Sequence, residues 1–192
     1  ISNCIIENDG NGICCESASP VIKNNIIRNN DSNGIEAGTS EPTIINNMVY
    51  CNETGISAGG SAIIRNNTIA DNAVKGIICY GGAGPSIKSC VIFNNSDDLD
   101  GCTAGYSCIK DADTGTGNIH SDPCFTAPDT NDFRLGPNSL CINAGDPNYL
   151  AYEDETDVDG DRRIMAARVD MGAYEFGRVI YVDANAPGTT EN

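Results

Sequence analysis

The sequence is poor in several features that accompany common protein functions. It has no Trp, one His, and 11 Lys and Arg against 27 Asp and Glu, which gives a net charge of −16. Such a charge repels phosphate backbones and anionic lipid, so we predict no nucleic-acid partner. No apolar run is long enough to cross a bilayer as a helix, so we also predict no membrane span. A lone His120 and the lack of any Cys-x-x-Cys pair argue against zinc.

A phrase repeated about every 21 residues fills the first half of the chain. Each copy opens with an Ile, carries a second aliphatic five residues later, and in four copies closes with Gly-Ile. The opening residues are Ile1, Ile22, Ile44, Ile64 and Ile87, at intervals of 21, 22, 20 and 23 residues. The second aliphatics are Ile6, Ile27, Val49, Ile69 and Ile92. Short β-branched runs at such a period are typical of a solenoid whose coils cover one another.

These repeats predict an all-β fold, a right-handed parallel β-helix over residues 1–118, closed by an irregular C-terminal cap over residues 119–176. The hand follows from the strong preference of parallel crossovers. Because Ile1 begins within a repeat phrase, we expect a fragment of a longer protein, with earlier coils or a partner covering the first coil.

Asparagine pairs recur at equivalent places in the repeat. They are Asn24-Asn25, Asn46-Asn47 and Asn66-Asn67, with Asn3-Cys4 and Ser89-Cys90 in the outer copies. Asn tolerates left-handed backbone angles at a tight corner, and its amide can bond the Asn one coil away. The pattern predicts a ladder of asparagines, with simple polar turn residues as the alternative.

Ten cysteines are consistent with disulfides if the chain is extracellular, and with free thiols otherwise. Cys124 and Cys141 flank a compact loop and are our preferred disulfide, with Cys102 and Cys108 as a second possibility. Other cysteines occupy repeat positions and are compatible with a role as small buried residues. These are Cys4, Cys15, Cys79 and Cys90.

Beyond the repeats, one partial coil is predicted through Tyr106 and Ile109, and four short motifs follow. They are Asp122-Pro123 with Phe125, Asp132 to Leu135 (DFRL), Ser139 to Pro147 (SLCINAGDP), and Asp170 to Glu175 (DMGAYE). This series resembles the C-terminal end of secreted bacterial right-handed β-helix proteins of the choice-of-anchor Q type. Leu140 stands where that family usually has Pro. The resemblance implies the fold and a surface location, but little about chemistry.

The last residues resemble the start of another module. Val179 to Gly188 reads VIYVDANAPG, which is similar to the opening strand of a further β-helix in such proteins. We therefore predict a linker and the start of a second module over residues 177–192. Tandem modules of the same polypeptide suit an extracellular rod.

An acidic segment near the C-terminus is a candidate cation site. Asp157, Asp159 and Asp161 alternate around a Gly, and carboxylates so spaced can bind Ca²⁺ through oxygen. The alternative is a solvated loop that pairs with nearby arginines. The candidate partners are Arg162, Arg163 and Arg168.

An outward column is predicted just after the second aliphatic of each copy, at Glu7, Arg28, Tyr50, Ala70 and Phe93. Exposed aromatics near an Arg can stack on the apolar face of a sugar ring, so Arg28, Tyr50 and Phe93 are candidate carbohydrate-binding residues. Loops covering these aromatics are the alternative. A polysaccharide or cell-surface glycan is the partner this column predicts.

Two further sets are candidates for catalysis on this fold. Lys23, Arg65 and Lys88 each follow an opening Ile, where a polysaccharide lyase needs a cationic base. Paired carboxylates for glycoside hydrolysis are available at Asp97, Asp98 and Asp100. We expect an extracellular or cell-surface protein with a structural or adhesive role, and a polysaccharide lyase or glycoside hydrolase as the alternative.

Overall fold

A computed structural model describes residues 1–81, 84–111 and 113–177. Successive coils contribute two or three strands each. The strands are β1 (Ile5–Glu7) and β2 (Ile13–Cys14); β3 (Val21–Lys23), β4 (Ile26–Arg28) and β5 (Asn33–Gly38); β6 (Thr43–Ile45), β7 (Met48–Tyr50) and β8 (Thr54–Gly59); β9 (Ile63–Arg65), β10 (Thr68–Ala70) and β11 (Lys75–Tyr80); β12 (Ser86–Lys88), β13 (Val91–Phe93) and β14 (Asp97–Asp100); β15 (Ala104–Gly105) and β16 (Cys108–Ile109).

The strands form three parallel sheets that run along the solenoid. One sheet has the order β1-β4-β7-β10-β13-β16, a second β2-β5-β8-β11-β14, and a third β3-β6-β9-β12-β15. The predicted parallel β-helix and its partial coil through Ile109 are thus confirmed. Short β-branched runs favour this arrangement because each strand is paired on both sides by the coils above and below it.

The aliphatic residues of the repeat stack inside the solenoid as predicted. Ile27, Val49 and Ile69 are direct partners in neighbouring strands and none is exposed. The opening residues Ile22, Ile44 and Ile64 are paired in the same way and are equally buried. Columns of identical side chains give each coil the same apolar contact with the next, so the core grows by repetition.

Two ladders of buried asparagines line the corners of the core. In the predicted ladder, Asn25 donates through its side-chain amide to Oδ1 of Asn47 at 2.9 Å, and Asn47 donates to Asn67 at 3.0 Å. A second ladder runs through the Asn three residues after each second aliphatic. Its members are Asn30, Asn52, Asn72 and Asn95. These side chains satisfy backbone groups at the corners, where strand pairing stops.

The second ladder ends on an acid. The side-chain amide of each ladder Asn donates to the Asn of the following coil. Asn95 has no such Asn after it and therefore needs another acceptor. Asp98 supplies it, since its Oδ1 accepts from the Nδ2 of Asn95 at 2.9 Å and its Oδ2 accepts from the backbone N–H of Lys110 at 2.8 Å. Burial raises the pKa of Asp98, while these hydrogen bonds oppose the rise.

Glycine is required beside this ladder. At Gly55, a Cβ would lie 2.6 Å from the carbonyl oxygen of Gly76 and 2.9 Å from Nδ2 of Asn72.

The residue that precedes each ladder Asn adopts a left-handed conformation, as expected for Asn at a corner. For example, φ is 55° at Asn24 and 56° at Asn46.

Residues 119–177 form an irregular layer, which we call the side layer. It contains the antiparallel pair β17 (Phe125–Ala127) and β18 (Asp132–Leu135), with a 3₁₀ turn at Pro128–Thr130 between them. The rest of it has little regular structure among the described residues. Prolines and glycines in this part of the sequence interrupt strand pairing.

The side layer begins with Ile119, which pairs with the last coil, and then lies along the flank of the solenoid. Asp146 N–H donates to Oγ of Ser89, Ala173 N–H donates to Oγ1 of Thr68, and Nδ2 of Asn24 donates to the carbonyl of Asp157. The layer therefore contacts coils from near the last back to the second. The residues predicted to form the cap cover the outer face of the six-stranded sheet.

The two remaining predictions concern a second module at the C-terminus and the lack of a membrane span. The module start expected at residues 177–192 lies outside the described residues, apart from Gly177. Within the described residues, no helix is long and apolar enough to span a membrane.

Candidate functional site

A groove of about 430 Å³ lies between the edge of the side layer and the outer face of the six-stranded sheet. We refer to it as the aromatic groove. The residues that matter for its chemistry are Asp71, Phe93, Asn94, Asp122, Phe125 and Asp129. Its volume lies within the usual range for small-molecule sites.

One wall of the groove comes from two successive coils. Asp71 follows β10 and Asn94 follows β13, so they occupy the same corner position one coil apart. Both have left-handed backbone angles, with φ of 53° and 64°. Asn94 donates from Nδ2 to Oδ1 of Asp71 at 2.6 Å. The repeat therefore presents a carboxylate and an amide side by side.

The opposite wall comes from the β17–β18 hairpin. Phe125 packs edge-on against Phe133, with ring centroids 5.2 Å apart, and Phe133 contacts Tyr50 at 5.1 Å. Phe133 is buried, whereas Phe93 and Phe125 remain half-exposed in the groove. Asp122 lies at the entrance to the hairpin, where its Oδ1 accepts from the backbone N–H of Cys124 at 2.7 Å.

The groove combines apolar rings with carboxylates. Asp71, Asp122 and Asp129 contribute three carboxylates, and no Lys or Arg is found among the lining residues that the structure describes. Nζ of Lys110, beside the groove, donates to Oδ1 of Asn94 at 3.3 Å. The arrangement can accept hydrogen bonds from hydroxyl or ammonium groups while a ring lies on a Phe. It is poorly suited to a negatively charged ligand.

The predicted outward column forms, but only part of it is accessible. Arg28 pairs with Tyr50, and Ala70 pairs with Phe93, in neighbouring strands. Tyr50 is only 4% exposed because Phe133 covers it. Arg28 donates to Oε2 of Glu7 at 2.7 Å and to the hydroxyl of Tyr50 at 3.0 Å. Of the three predicted carbohydrate-binding residues, Phe93 alone lines the groove.

The groove residues that the sequence did not single out come from two sources. Asp71 and Asn94 belong to the repeat, one position after the column that was identified. Phe125 belongs to the motif that begins at Asp122, but nothing in the sequence places that motif beside β13. The available sequence signal for Asp71 was its place directly before the repeated Asn72.

The basic set is engaged by the side layer. Lys88 forms an ion pair with Asp146 at 2.8 Å. Arg65 lies 4.0 Å from Glu155, and its guanidinium stacks over the rings of Tyr149 and Tyr152. The column of Lys23, Arg65 and Lys88 is interrupted by Ile45. The structure therefore gives two of these cations roles in attaching the layer.

The three aspartates of β14 are also engaged within the scaffold. Lys75 forms ion pairs with Asp97 and, at 3.1 Å, with Asp100. Asp98 terminates the asparagine ladder. These contacts do not leave a pair of carboxylates facing an open cleft, which glycoside hydrolysis requires.

The acidic segment has its own internal partners. Oδ1 of Asp157 accepts from the N–H groups of Asp159 and Asp161, both at 2.9 Å, and Oδ2 accepts from Glu175 N–H at 2.9 Å. Asp159 binds Arg134 through two hydrogen bonds of 2.8 and 2.9 Å. Within the described part of the chain, no group of three or more acids, Cys or His is arranged to hold a metal. This geometry does not support the predicted calcium site.

The disulfide in the structure differs from both predicted pairs. Cys79 is bonded to Cys102, whereas Cys124 and Cys141 are free thiols and Cys108 is also free. Cys124 is exposed in the hairpin, while Cys141 is buried against the last coils. Cys141 packs in a buried cluster that does not include Cys124.

Comparison with known proteins identifies the architecture. The family model for the right handed beta helix region matches residues 1–124. The chain belongs to this β-helix family. The match ends close to where the coils give way to the side layer, and it supports the right hand of the β-helix. No match to the chain was found among curated proteins or among solved structures.

Proposed function

We propose that this β-helix protein is an extracellular structural or adhesive protein that binds carbohydrate in the aromatic groove. The observation that carries the proposal is that two aromatic rings and a carboxylate–amide pair line the same groove. They are Phe93 and Phe125, and Asp71 hydrogen-bonded to Asn94. Sugar rings have an apolar face that stacks on aromatics and hydroxyls that donate to carboxylates. Phe93 and Phe125 supply the aromatic surface, and Asp71 supplies a carboxylate that can accept from a hydroxyl.

Charge narrows the type of glycan. The groove is lined by three carboxylates, and the chain carries a net charge of −16. Neutral polysaccharides or cell-surface glycans are therefore favoured over uronate polymers, which such a field repels. This preference also counts against a polysaccharide lyase acting on uronates.

An extracellular location is part of the proposal. Disulfides persist in oxidising compartments and are rare in the cytosol. The bond between Cys79 and Cys102 links β11 with the segment after β14 and fits such a compartment. Further modules of the same polypeptide would display the groove at a distance from the cell surface.

Binding can be tested with the purified chain on an array of neutral, amino and uronate glycans. Replacing Phe93→Ala removes the stacking surface, so we expect affinity for the retained glycan to fall about ten-fold, near 1.4 kcal/mol. Tyr80→Ala is the control, since Tyr80 is an aromatic that is 50% exposed in β11, outside the residues that line the groove.

Two outcomes would contradict the proposal. One is an array with no retained glycan. The other is equal loss of binding in Phe93→Ala and Tyr80→Ala, which would place the site elsewhere.

Glycoside hydrolysis is a second candidate because Asp71, Asp122 and Asp129 line the same groove. Two carboxylates flanking a glycosidic bond are the usual machinery of such enzymes. New reducing ends that disappear in both Asp71→Asn and Asp122→Asn would support hydrolysis. Retention of the glycan without cleavage would support binding alone.

A further inference from the structure

Two cysteines from different regions meet beneath the side layer. Cys108 belongs to β16 in the last coil, and Cys141 belongs to the side layer. Their exposed fractions are 0% and 1%. Both pack in one apolar cluster with Val91, Leu135 and Met171, and Sγ of Cys108 donates to the carbonyl of Ser121 at 3.2 Å.

The backbone holds both residues in place. Cys108 N–H donates to the carbonyl of Cys90 at 2.8 Å, which continues the coil pairing. The carbonyl of Cys141 accepts from Met171 N–H at 3.0 Å, and Cys141 N–H donates to Oγ of Ser139 at 3.2 Å. Two cysteines held in one buried cluster by separate backbone anchors lie in the same small region, as a disulfide requires.

Cys124 offers no comparable arrangement for Cys141. It is exposed, and its thiol lies 3.5 Å from the carbonyl of Asp122 within its own turn. It is also absent from the cluster that holds Cys108 and Cys141.

We propose that Cys108 and Cys141 form a second disulfide, which attaches the side layer covalently to the β-helix. The oxidant is a small-molecule or protein disulfide. The thiolate of one cysteine attacks it and releases one thiolate; the second cysteine then attacks the mixed disulfide and releases the other. The pair loses two electrons and two protons, and the oxidant is reduced to two thiols.

The reaction takes place during folding. In the folded chain both thiols are buried in the apolar cluster, so a dissolved oxidant does not reach them. Before the layer docks, both cysteines are accessible to the oxidant. Once formed, the bond is shielded from reductants by the same apolar cluster.

Among the described residues, no disulfide of the structure connects the solenoid with the side layer, and the proposed bond would provide this cross-link. Cys79–Cys102 lies within the solenoid, whereas Cys108–Cys141 crosses from the solenoid to the layer. Closing the segment between residues 108 and 141 restricts the unfolded chain. Reduction is therefore expected to loosen the layer before it affects the coils.

Peptide mapping of the full chain provides the test. The protein is refolded with oxidised and reduced glutathione, alkylated under denaturing conditions and digested with trypsin without reduction. Cleavage after Lys and Arg places Cys79 in peptide 76–88, Cys102 and Cys108 in peptide 89–110, and Cys141 in peptide 135–162. We expect these three peptides to be recovered as one linked species.

Cys108→Ser is expected to release peptide 135–162 and to lower the melting temperature by about 10 °C under oxidising conditions. Cys124→Ser is the control and should leave the linked species intact. Peptide 89–110 also contains Cys90, so a second digest with chymotrypsin, which cleaves after Phe93 and Tyr106, separates Cys90, Cys102 and Cys108. With that digest the wild-type map assigns the bond, and the test does not depend on the folding of Cys108→Ser. Alkylated Cys108 and Cys141 in the wild type, or a bond between Cys124 and Cys141, would overturn the proposal.

Discussion

The solenoid and the side layer bury polar groups in different ways. Within the two ladders of the solenoid, buried amides bond to the same residue type one coil away, as Asn47 does to Asn67. The ladders end on Asp98 and on the backbone carbonyls that accept from Asn67. In the layer, most buried polar side chains are charged, and their partners differ from one residue to the next; Nε and Nη1 of Arg163 have no hydrogen-bond partner. The fully buried Arg163 lies 3.4 Å from Glu175 and donates to the carbonyls of Asp170 and Gly172.

This difference concerns both energy and specificity. Burying a neutral amide costs little desolvation energy, and the hydrogen bonds of the ladder offset that cost. The same hydrogen bonds recur in successive coils. Buried charges cost more to desolvate and tolerate few alternatives. The layer therefore docks in one place, through contacts such as Ala173 to Thr68 that join residues 105 apart in sequence.

The largest expected effect comes from breaking a ladder in the solenoid. In Asn52→Leu, the backbone N–H and Nδ2 of Asn30 lose their acceptor, and the carbonyls of Ile27 and Tyr50 lose a donor. We expect a loss of about 4 kcal/mol in the free energy of unfolding, measured by denaturant titration.

The matched control for the ladder is Asn11→Ala. Asn11 is exposed, yet its Oδ1 accepts from the backbone N–H and Nδ2 of Asn33 at 3.0 and 3.3 Å. Water can replace it there, so a loss below about 1 kcal/mol is expected. Similar losses in both variants would show that burial is not what gives the ladder its strength.

A somewhat smaller effect is expected from filling the glycine column. In Gly55→Ala, the new methyl group meets the carbonyl of Gly76 and Cγ2 of Ile69, each at 2.6 Å. Neighbouring coils must then separate, which should cost about 1–3 kcal/mol. Gly10→Ala is the control because nothing lies within 4 Å of its Cβ position. Equal melting temperatures for both variants would contradict the close packing of coils at this corner.

The smallest of these effects concerns the charges of the side layer. Burial raises the pKa of Glu175 to about 8, despite the opposing attraction of Arg163. Because the folded pKa exceeds the unfolded one, the stabilisation is complete below about pH 4.5 and is lost as the pH rises through 8. Burial also raises the pKa values of Asp157 and Asp170, with the same sign.

We expect the layer to be about 2 kcal/mol less stable at pH 8 than at pH 5, as followed by hydrogen exchange in residues 119–177. Glu175→Gln should flatten this dependence and leave exchange in the ladder strands unchanged. A profile that is as steep in Glu175→Gln as in the wild type would assign the effect to other groups.

The extent to which each region could be predicted follows from the same contrast. The stacking of Ile27, Val49 and Ile69 was predictable, because a fixed period makes each the neighbour of the next. The second ladder was visible as a repeated Asn, but its role required the register of the corners. The burial of Tyr50 was not predictable, since it depends on Phe133, which lies 83 positions farther along the chain.

The aromatic groove was only partly predictable. Phe93 was identified from its column, whereas Asp122 and Phe125 reach the groove through the docking of the hairpin. Alternating carboxylates suggested a metal site at Asp157, yet backbone N–H groups occupy both of its oxygens. The spacing of acids along the sequence does not show whether their oxygens bond to backbone N–H groups instead of a metal.

The sequence by itself determined the coils, their isoleucine columns and the corners where asparagines turn the chain. A repeat of nearly constant length leaves each strand one way to pair, so local pattern and global structure coincide there. The tertiary structure decided which aromatics stay accessible, which thiols face each other and which cations are neutralised. Those outcomes depend on where a non-repeating segment docks, and docking is set by contacts between residues that no period connects.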